Sequence, residues 1–202
     1  MRPHVPLLVL SAVLLGGGPP TQPTIDLSTP LHAVESWARA METGNVAEVR
    51  KVGIGTAETY ELMTPMIRVQ GAARKMTDAA VARFGNAGNN VTSPAAPLPT
   101  QLKAKLTETI IGDTASVGPE HEGGIKLKNT PDGWKIDFQA TASPDFRERA
   151  TKMAPLYADM EKTLLGSAAL IASGQYKTAD EARNHLQDAL GELVSQFQRK
   201  NP

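Results

Sequence analysis

The hydrophobic period of this chain changes twice along its length, and those changes constrain its fold more than any other feature. Up to residue 84 apolar residues recur every three to four positions, as on the buried stripe of a helix. From Gln101 to Phe138 they fall on every second position, as on one face of a strand. Beyond Ser143-Pro144 the helical spacing returns and holds to the end. Helices, then hairpin-connected strands, then helices predict an α+β protein.

Local chemistry places the elements. Thr29 is suited to cap a first helix, and Pro30 sits at the first helical position, where its missing N–H costs nothing. Leu31, Val34, Trp37, Ala38 and Met41 share one stripe of that helix, with Glu35, Arg39 and Glu42 opposite. Gly44 ends it, and Asn45 with Glu48 resembles a capping box opening a short helix through Val46, Val49 and Val52. Gly53 and Gly55 interrupt the chain, and no strand is read there. A helical pattern resumes near Thr56. Thr64-Pro65 repeats the cap-then-proline signal, and Met66, Val69, Ala73, Met76, Ala80 and Phe84 form a stripe over 65–84. The glycines, asparagines and prolines of 85–99 predict a long irregular loop.

Within the period-two region, Leu102, Ala104 and Leu106 alternate with Lys103, Lys105 and Thr107, and Gly112-Asp113 turns the chain toward Thr114 to Val117. Ile125 and Leu127 alternate with Lys126 and Lys128. Pro131-Asp132-Gly133 makes the next turn, and Trp134, Ile136 and Phe138 alternate with Lys135 and Asp137. Four short strands in an antiparallel sheet follow, apolar on one face and polar on the other. In the last section Phe146, Met153 and Met160 recur every seven residues, a seam suited to another helix. Pro155 inside it predicts a kink or a break. Gly174 ends this helix, and Thr178 with Glu181 caps a final one carrying Ala182, Leu186, Ala189, Leu193 and Phe197. Residues 144–198 thus read as an antiparallel helical hairpin.

The ends and the composition set the cellular context. Arg2, the apolar run Val5 to Leu15 and Gly16-Gly17-Gly18 match a signal peptide over 1–18. The run is shorter than the roughly 20 residues a membrane-spanning helix needs. Residues 19–27, with three prolines, predict a flexible lead-in. The expected organisation is a cone-like domain over 28–141 followed by the hairpin over 142–202, in an exported protein, periplasmic or extracellular. The chain has no cysteine, which rules out disulfides, thiolate metal sites and a cysteine nucleophile. Lys plus Arg and Asp plus Glu balance at 21 each, without the basic excess of a nucleic-acid binder.

The order helix, short helix, further helix, then hairpin-connected strands is familiar. Thr29-Pro30 through Gly44-Asn45, Ile111-Gly112-Asp113-Thr114-Ala115 and the strand Gly133-Trp134-Lys135-Ile136-Asp137 carry the likeness. Over about 28–141 the chain resembles secreted bacterial members of the nuclear transport factor 2-like superfamily, the cone-shaped fold shared with SnoaL-like and ketosteroid isomerase-like proteins. Two features depart from it: no strand is read between the second and third helices, where such folds often have one, and the C-terminal hairpin lies outside the cone. Members include enzymes, small-molecule binders and interaction domains, so the likeness implies a fold and leaves activity open.

The resemblance also says where to look for chemistry. Enzymes on this fold place a carboxylate as general base in an apolar pocket. Glu108, in phase with Leu102, Ala104 and Leu106, is the candidate catalytic residue, and a strand-end glutamate at the sheet margin is the plainer reading. Asp137 alternates onto the polar face. Trp37, Met41, Tyr60, Leu127, Trp134 and Ile136 are the candidate pocket lining, and large aromatics there also read as ordinary core. Lys103, Lys105, Lys126, Lys128 and Lys135 project from one sheet face, as a patch for anionic partners or as solvated edge protection. His32 reads as a solvated helix residue and His185 as packing. Glu120-His121-Glu122 lacks the further ligands a metal site needs. No catalytic motif is present, and no cofactor or metal is implied. The expectation is therefore a binding or interaction domain for a small ligand or an envelope protein, with a homodimer as one arrangement. The enzyme through Glu108 and an assembly module acting through the hairpin are the alternatives.

Overall fold

Thr29 stands in extended backbone, its hydroxyl accepts the amide of His32 at 3.2 Å, and Pro30 takes the first helical position, so α1 (Pro30–Glu42) starts where its capping chemistry dictates. The structure, a computed structural model, describes residues 24–91, 106–118, 124–141 and 145–200. The signal segment, residues 19–23 of the lead-in, the alternation at 101–105 with Lys103 and Lys105, and Glu120-His121-Glu122 lie outside the described residues.

Asn45 accepts the Glu48 amide at 3.2 Å and opens α2 (Val46–Val52). Two residues of strand follow, β1 (Gly53–Ile54), and then α3 (Ala57–Phe84), capped by Thr56 through the Thr59 amide at 3.2 Å. A 3-10 turn (Gly85–Asn90) ends this half. The sheet continues with β2 (Thr107–Ile111), β3 (Thr114–Gly118), β4 (Ile125–Thr130) and β5 (Gly133–Asp137). Three helices complete the chain: α4 (Phe138–Thr141), α5 (Phe146–Ala172) and α6 (Ala179–Lys200). The strand order is β1-β5-β4-β3-β2, with β1 parallel to β5 and every other pair antiparallel.

The α+β class and both hairpins are as the sequence predicts; several details are not. β1 is a strand where the two glycines suggested only an interruption, so the sheet is mixed. Gly53 is required there for packing: a Cβ would lie 2.1 Å from Cε2 of Phe138, whose ring covers this end of the sheet. Pro65 and Pro155 both lie inside continuous helices. An interior proline costs about 3 kcal/mol, and one well-buried large apolar side chain returns about 1.5–3 kcal/mol. Met63 and Ile67 flank Pro65, and Ala150 and Leu156 flank Pro155, all buried, so tertiary packing carries each helix across its proline. The lead-in ends before Asp26: the Asp26 amide donates to Ser36 Oγ at 3.0 Å, and the Leu27 carbonyl accepts the Trp134 amide at 2.8 Å, so this segment is bound to α1 and β5.

Two hydrophobic cores result. The first gathers Val34, Met41, Val49, Met63, Ile67, Val117, Leu127, Trp134, Ile136 and Phe138, where α1, α2 and the start of α3 cover one sheet face. The second gathers Val69, Ala72, Met76, Ala80, Val91, Leu164, Ile171, Tyr176, Ala182 and Leu186. α3 serves both, contributing Met63 and Ile67 to the first and Val69 onward to the second. The C-terminal helices therefore share the second core with α3, and α5 packs mainly on α3 rather than on α6. At the junction, the turn after α1 meets α3 backbone to backbone: a Cβ on Gly44, whose φ is +69°, would lie 2.6 Å from the Cα of Gly71.

Candidate functional site

Every residue predicted to line a pocket falls in the first core. Met41, Leu127, Trp134 and Ile136 are buried, Trp37 and Tyr60 pack half-buried against them, and Leu127 and Ile136 are cross-strand partners. Trp37 presents one unusual feature: its indole N–H is buried and has no hydrogen-bond partner among the described residues. A donor of that kind forgoes about 1–3 kcal/mol of solvation unless something binds it.

Tyr60 has a structural task. Its hydroxyl donates to the Gly53 carbonyl at 2.9 Å, its ring meets Phe138 edge to face at 5.8 Å, and the Arg50 guanidinium lies over it at 5.5 Å. Burial pushes its phenol above the ordinary tyrosine range, against a smaller opposing pull from Arg50, so the hydroxyl is a neutral donor that ties α3 to β1.

Glu108 pairs with Val117 and so shares the phase of the apolar face, as its alternation predicts. It is nevertheless exposed, because β2 is the last strand of the sheet and is exposed along its whole length. Its Oε2 accepts the Leu31 amide at 3.3 Å, placing a carboxylate at the N-terminus of α1, which has no acidic residue in its own first turn. The carboxyl thus stands at the solvent-exposed sheet edge and not inside the apolar pocket that a general base on this fold would occupy. Asp137 is also committed: its Oδ1 accepts the amides of Gln139 at 3.0 Å and Ala140 at 2.9 Å and so starts α4. That turn brings the Thr141 hydroxyl to the Lys126 amide at 3.0 Å, where β5 has run out.

The polar face of the sheet carries what alternation could not assign. Ser116 pairs with Lys126 and Lys128 with Lys135, so these side chains share the outer face. Lys135 pairs with Asp132 at 2.8 Å, holding that carboxyl below its ordinary range, and Lys126 Nζ donates to Ser116 Oγ at 3.2 Å. Lys135 is thus charge-paired, while Lys126 bonds a neutral hydroxyl and keeps its charge on this face. Between them and the edge lies an open depression of about 320 Å³, lined by Thr109, Ile111, Ser116, Lys126, Asp137 and Ala140. Ile111 in its lining is 74% exposed, and Ile110, on the other face of the same edge strand, is 51% exposed. The sequence singles out the lysines of this face but not the depression or the exposed edge, because a period of two gives each residue's face without saying which strand has a neighbour.

The described histidines have structural partners. His32 Nδ1 lies 3.1 Å from the Asp26 carboxylate, and His185 Nδ1 lies 2.9 Å from the hydroxyl of Tyr176 in the second core. Among the described residues no three metal-ligating side chains come together, and no helix is long and apolar enough to cross a membrane. Compared with known protein families, with curated proteins and with solved structures, the chain matches none.

Proposed function

We propose that this chain is an exported, non-catalytic binding module built on a cone-like domain of the nuclear transport factor 2-like kind, with its interaction surface on the outer sheet face and the edge strand β2. The observation that carries this reading is the exposure of β2: a strand with four β-branched residues of five, exposed over its full length, beside a depression of mixed polar and apolar lining. An extended strand is the kind of partner such an edge accepts. Support for the fold kinship comes from β1, which supplies the strand between the second and third helices that such folds often have. Support for the absence of catalysis comes from Glu108, Asp137 and Tyr60, each of which spends its polar atoms on a helix end or a strand carbonyl. Export is read from Arg2, the apolar run Val5 to Leu15 and the glycines after it.

The test is an amide chemical-shift map with a panel of short strand-forming peptides. Perturbation concentrated on 107–118, and lost in Ile111→Lys, is the expected result; no response there to any peptide removes the reading. A second reading, a small apolar ligand held inside the cone, is favoured by the buried Trp37 indole N–H alone. Native mass spectrometry of the gently purified chain decides it, since a bare mass with no stabilisation in a broad compound screen counts against it.

A further inference from the structure

We infer that the partner of the β2 edge is a second copy of this chain, paired antiparallel so that Ile110 of each copy lies opposite Ile110 of the other; the inference rests on the reading of β2 as an interaction edge. Hydrogen-bonded and non-bonded pairs alternate along an antiparallel ladder. Ile111 and Thr114 close a two-residue turn, so Ile111 and Thr109 direct their backbone groups to β3, while those of Ile110 and Glu108 face outward. Two antiparallel copies satisfy these outward groups only when outward residues meet outward residues, which leaves few registers.

The side chains choose among them. With Ile110 opposite the partner's Ile110, Ile111 falls opposite the partner's Thr109 on the outer face, and both exposed isoleucines gain β-branched neighbours. Glu108 then lies opposite the partner's Gly112, which has no side chain and open space around it, so the carboxylate stays in water and keeps its bond to the Leu31 amide. The adjacent register, Thr109 opposite the partner's Thr109, sets Glu108 against the partner's Ile110 and desolvates a charge beside an apolar side chain. Glu108 is the one charge in Thr-Glu-Thr-Ile-Ile, and the favoured register brings no two like charges together. A pair of five-residue strands buries less than the roughly 1,200 Å² of a stable specific interface, so the dimer should be concentration-dependent.

The absence of cysteine makes the register measurable. Across one bonded or non-bonded antiparallel pair the Cα atoms stand about 4.5–5.5 Å apart, within reach of a disulfide. Sedimentation of the purified chain over a concentration series should show a reversible dimer, weakened by about tenfold or more in Ile110→Lys, where like charges would face each other. Circular dichroism checks that this variant is folded. Under mild oxidation Ile110→Cys should cross-link faster than Thr109→Cys, and a cysteine at exposed Ser195 should stay uncross-linked. A monomer at every concentration, a dimer that Ile110→Lys leaves intact, or faster cross-linking at 109 overturns the inference. A monomeric chain that still binds strand peptides at β2 removes this inference and keeps the binding-module reading, whereas loss of both removes both.

Discussion

The two cores are built from different materials and share one helix. The first is rich in large and aromatic side chains, with Trp134 and Phe138 buried and Trp37 and Tyr60 packed on them, and it joins strands and helices far apart in sequence. The second relies on small residues, Val69, Ala72, Ala80, Ala179 and Ala182, which let helices approach closely around Met76, Leu164 and Ile171. α6 buries only Ala179, Ala182 and Leu186, near its start, and beyond them runs over the surface. Burial is thus concentrated where α3 crosses each core and declines toward the C-terminus. A continuous α3 should make the cores unfold together, although each could be drawn as a unit of its own.

Large-to-small substitution tests that coupling most severely. Ile136→Ala in the first core and Met76→Ala in the second should each cost about 2–5 kcal/mol. The two tryptophans, Trp37 and Trp134, both report the first core, while far-UV circular dichroism reports mainly helices. In urea, Met76→Ala should lower the fluorescence midpoint together with the dichroism midpoint. A fluorescence midpoint left at its wild-type value would mean that the cores unfold independently.

The glycine contact at the junction offers a sharper probe. Gly44→Ala should cost about 1–2 kcal/mol for the left-handed backbone alone, and more for the overlap with Gly71. Gly71→Ala pits a helix-propensity gain of about 1 kcal/mol against a Cβ placed 2.7 Å from the Gly44 Cα. We expect net destabilisation, and a rise in melting temperature would show that the junction can give way. Thr29→Ala should remove about 1 kcal/mol by leaving the His32 amide uncapped. Glu108→Gln should cost a few tenths to about 1 kcal/mol, less at high salt, because it alters only the charge at the exposed start of α1. A larger loss would mean that Glu108 does more than cap.

The smallest effect is one of pH and touches both cores. Burial raises the phenols of Tyr60 and Tyr176 above the ordinary 10.0, with Arg50 opposing at Tyr60 and Glu181 adding at Tyr176. A group whose folded pKa is raised stabilises the fold fully below its unfolded value and loses that contribution as pH climbs through the folded one. Stability should therefore decline from about pH 10 upward. Absorbance titration should show both tyrosines ionising later than in urea; equal titration curves would contradict their burial.

Elements whose start or turn is a matter of adjacent residues were legible in advance. Thr29-Pro30, Asn45 with Glu48, Gly112-Asp113 and Pro131-Asp132-Gly133 work within a few bonds of themselves, and the structure uses each one there, with Gly133 as the first residue of β5. The six residues named as pocket lining all pack in or against the first core. Contacts that depend on distant residues were not legible: β1 exists because β5 pairs with it and the Phe138 ring covers Gly53, and the helix prolines are tolerated because two cores hold their flanks. Glu108 shows the division within one residue: its phase and its place at the sheet margin were legible, and its bond to the Leu31 amide at the start of α1 was not.

By itself, the sequence determined the class of the protein, the period of each segment, the caps and turns, and the absence of any thiol chemistry, because these follow from local sterics, hydrogen bonding and composition. The tertiary structure alone decided which strand became the edge, how α3 was divided between two cores, and which polar side chains were spent on helix ends. Those outcomes depend on neighbours brought together from far along the chain, and neither a period of two nor a period of 3.6 carries that information.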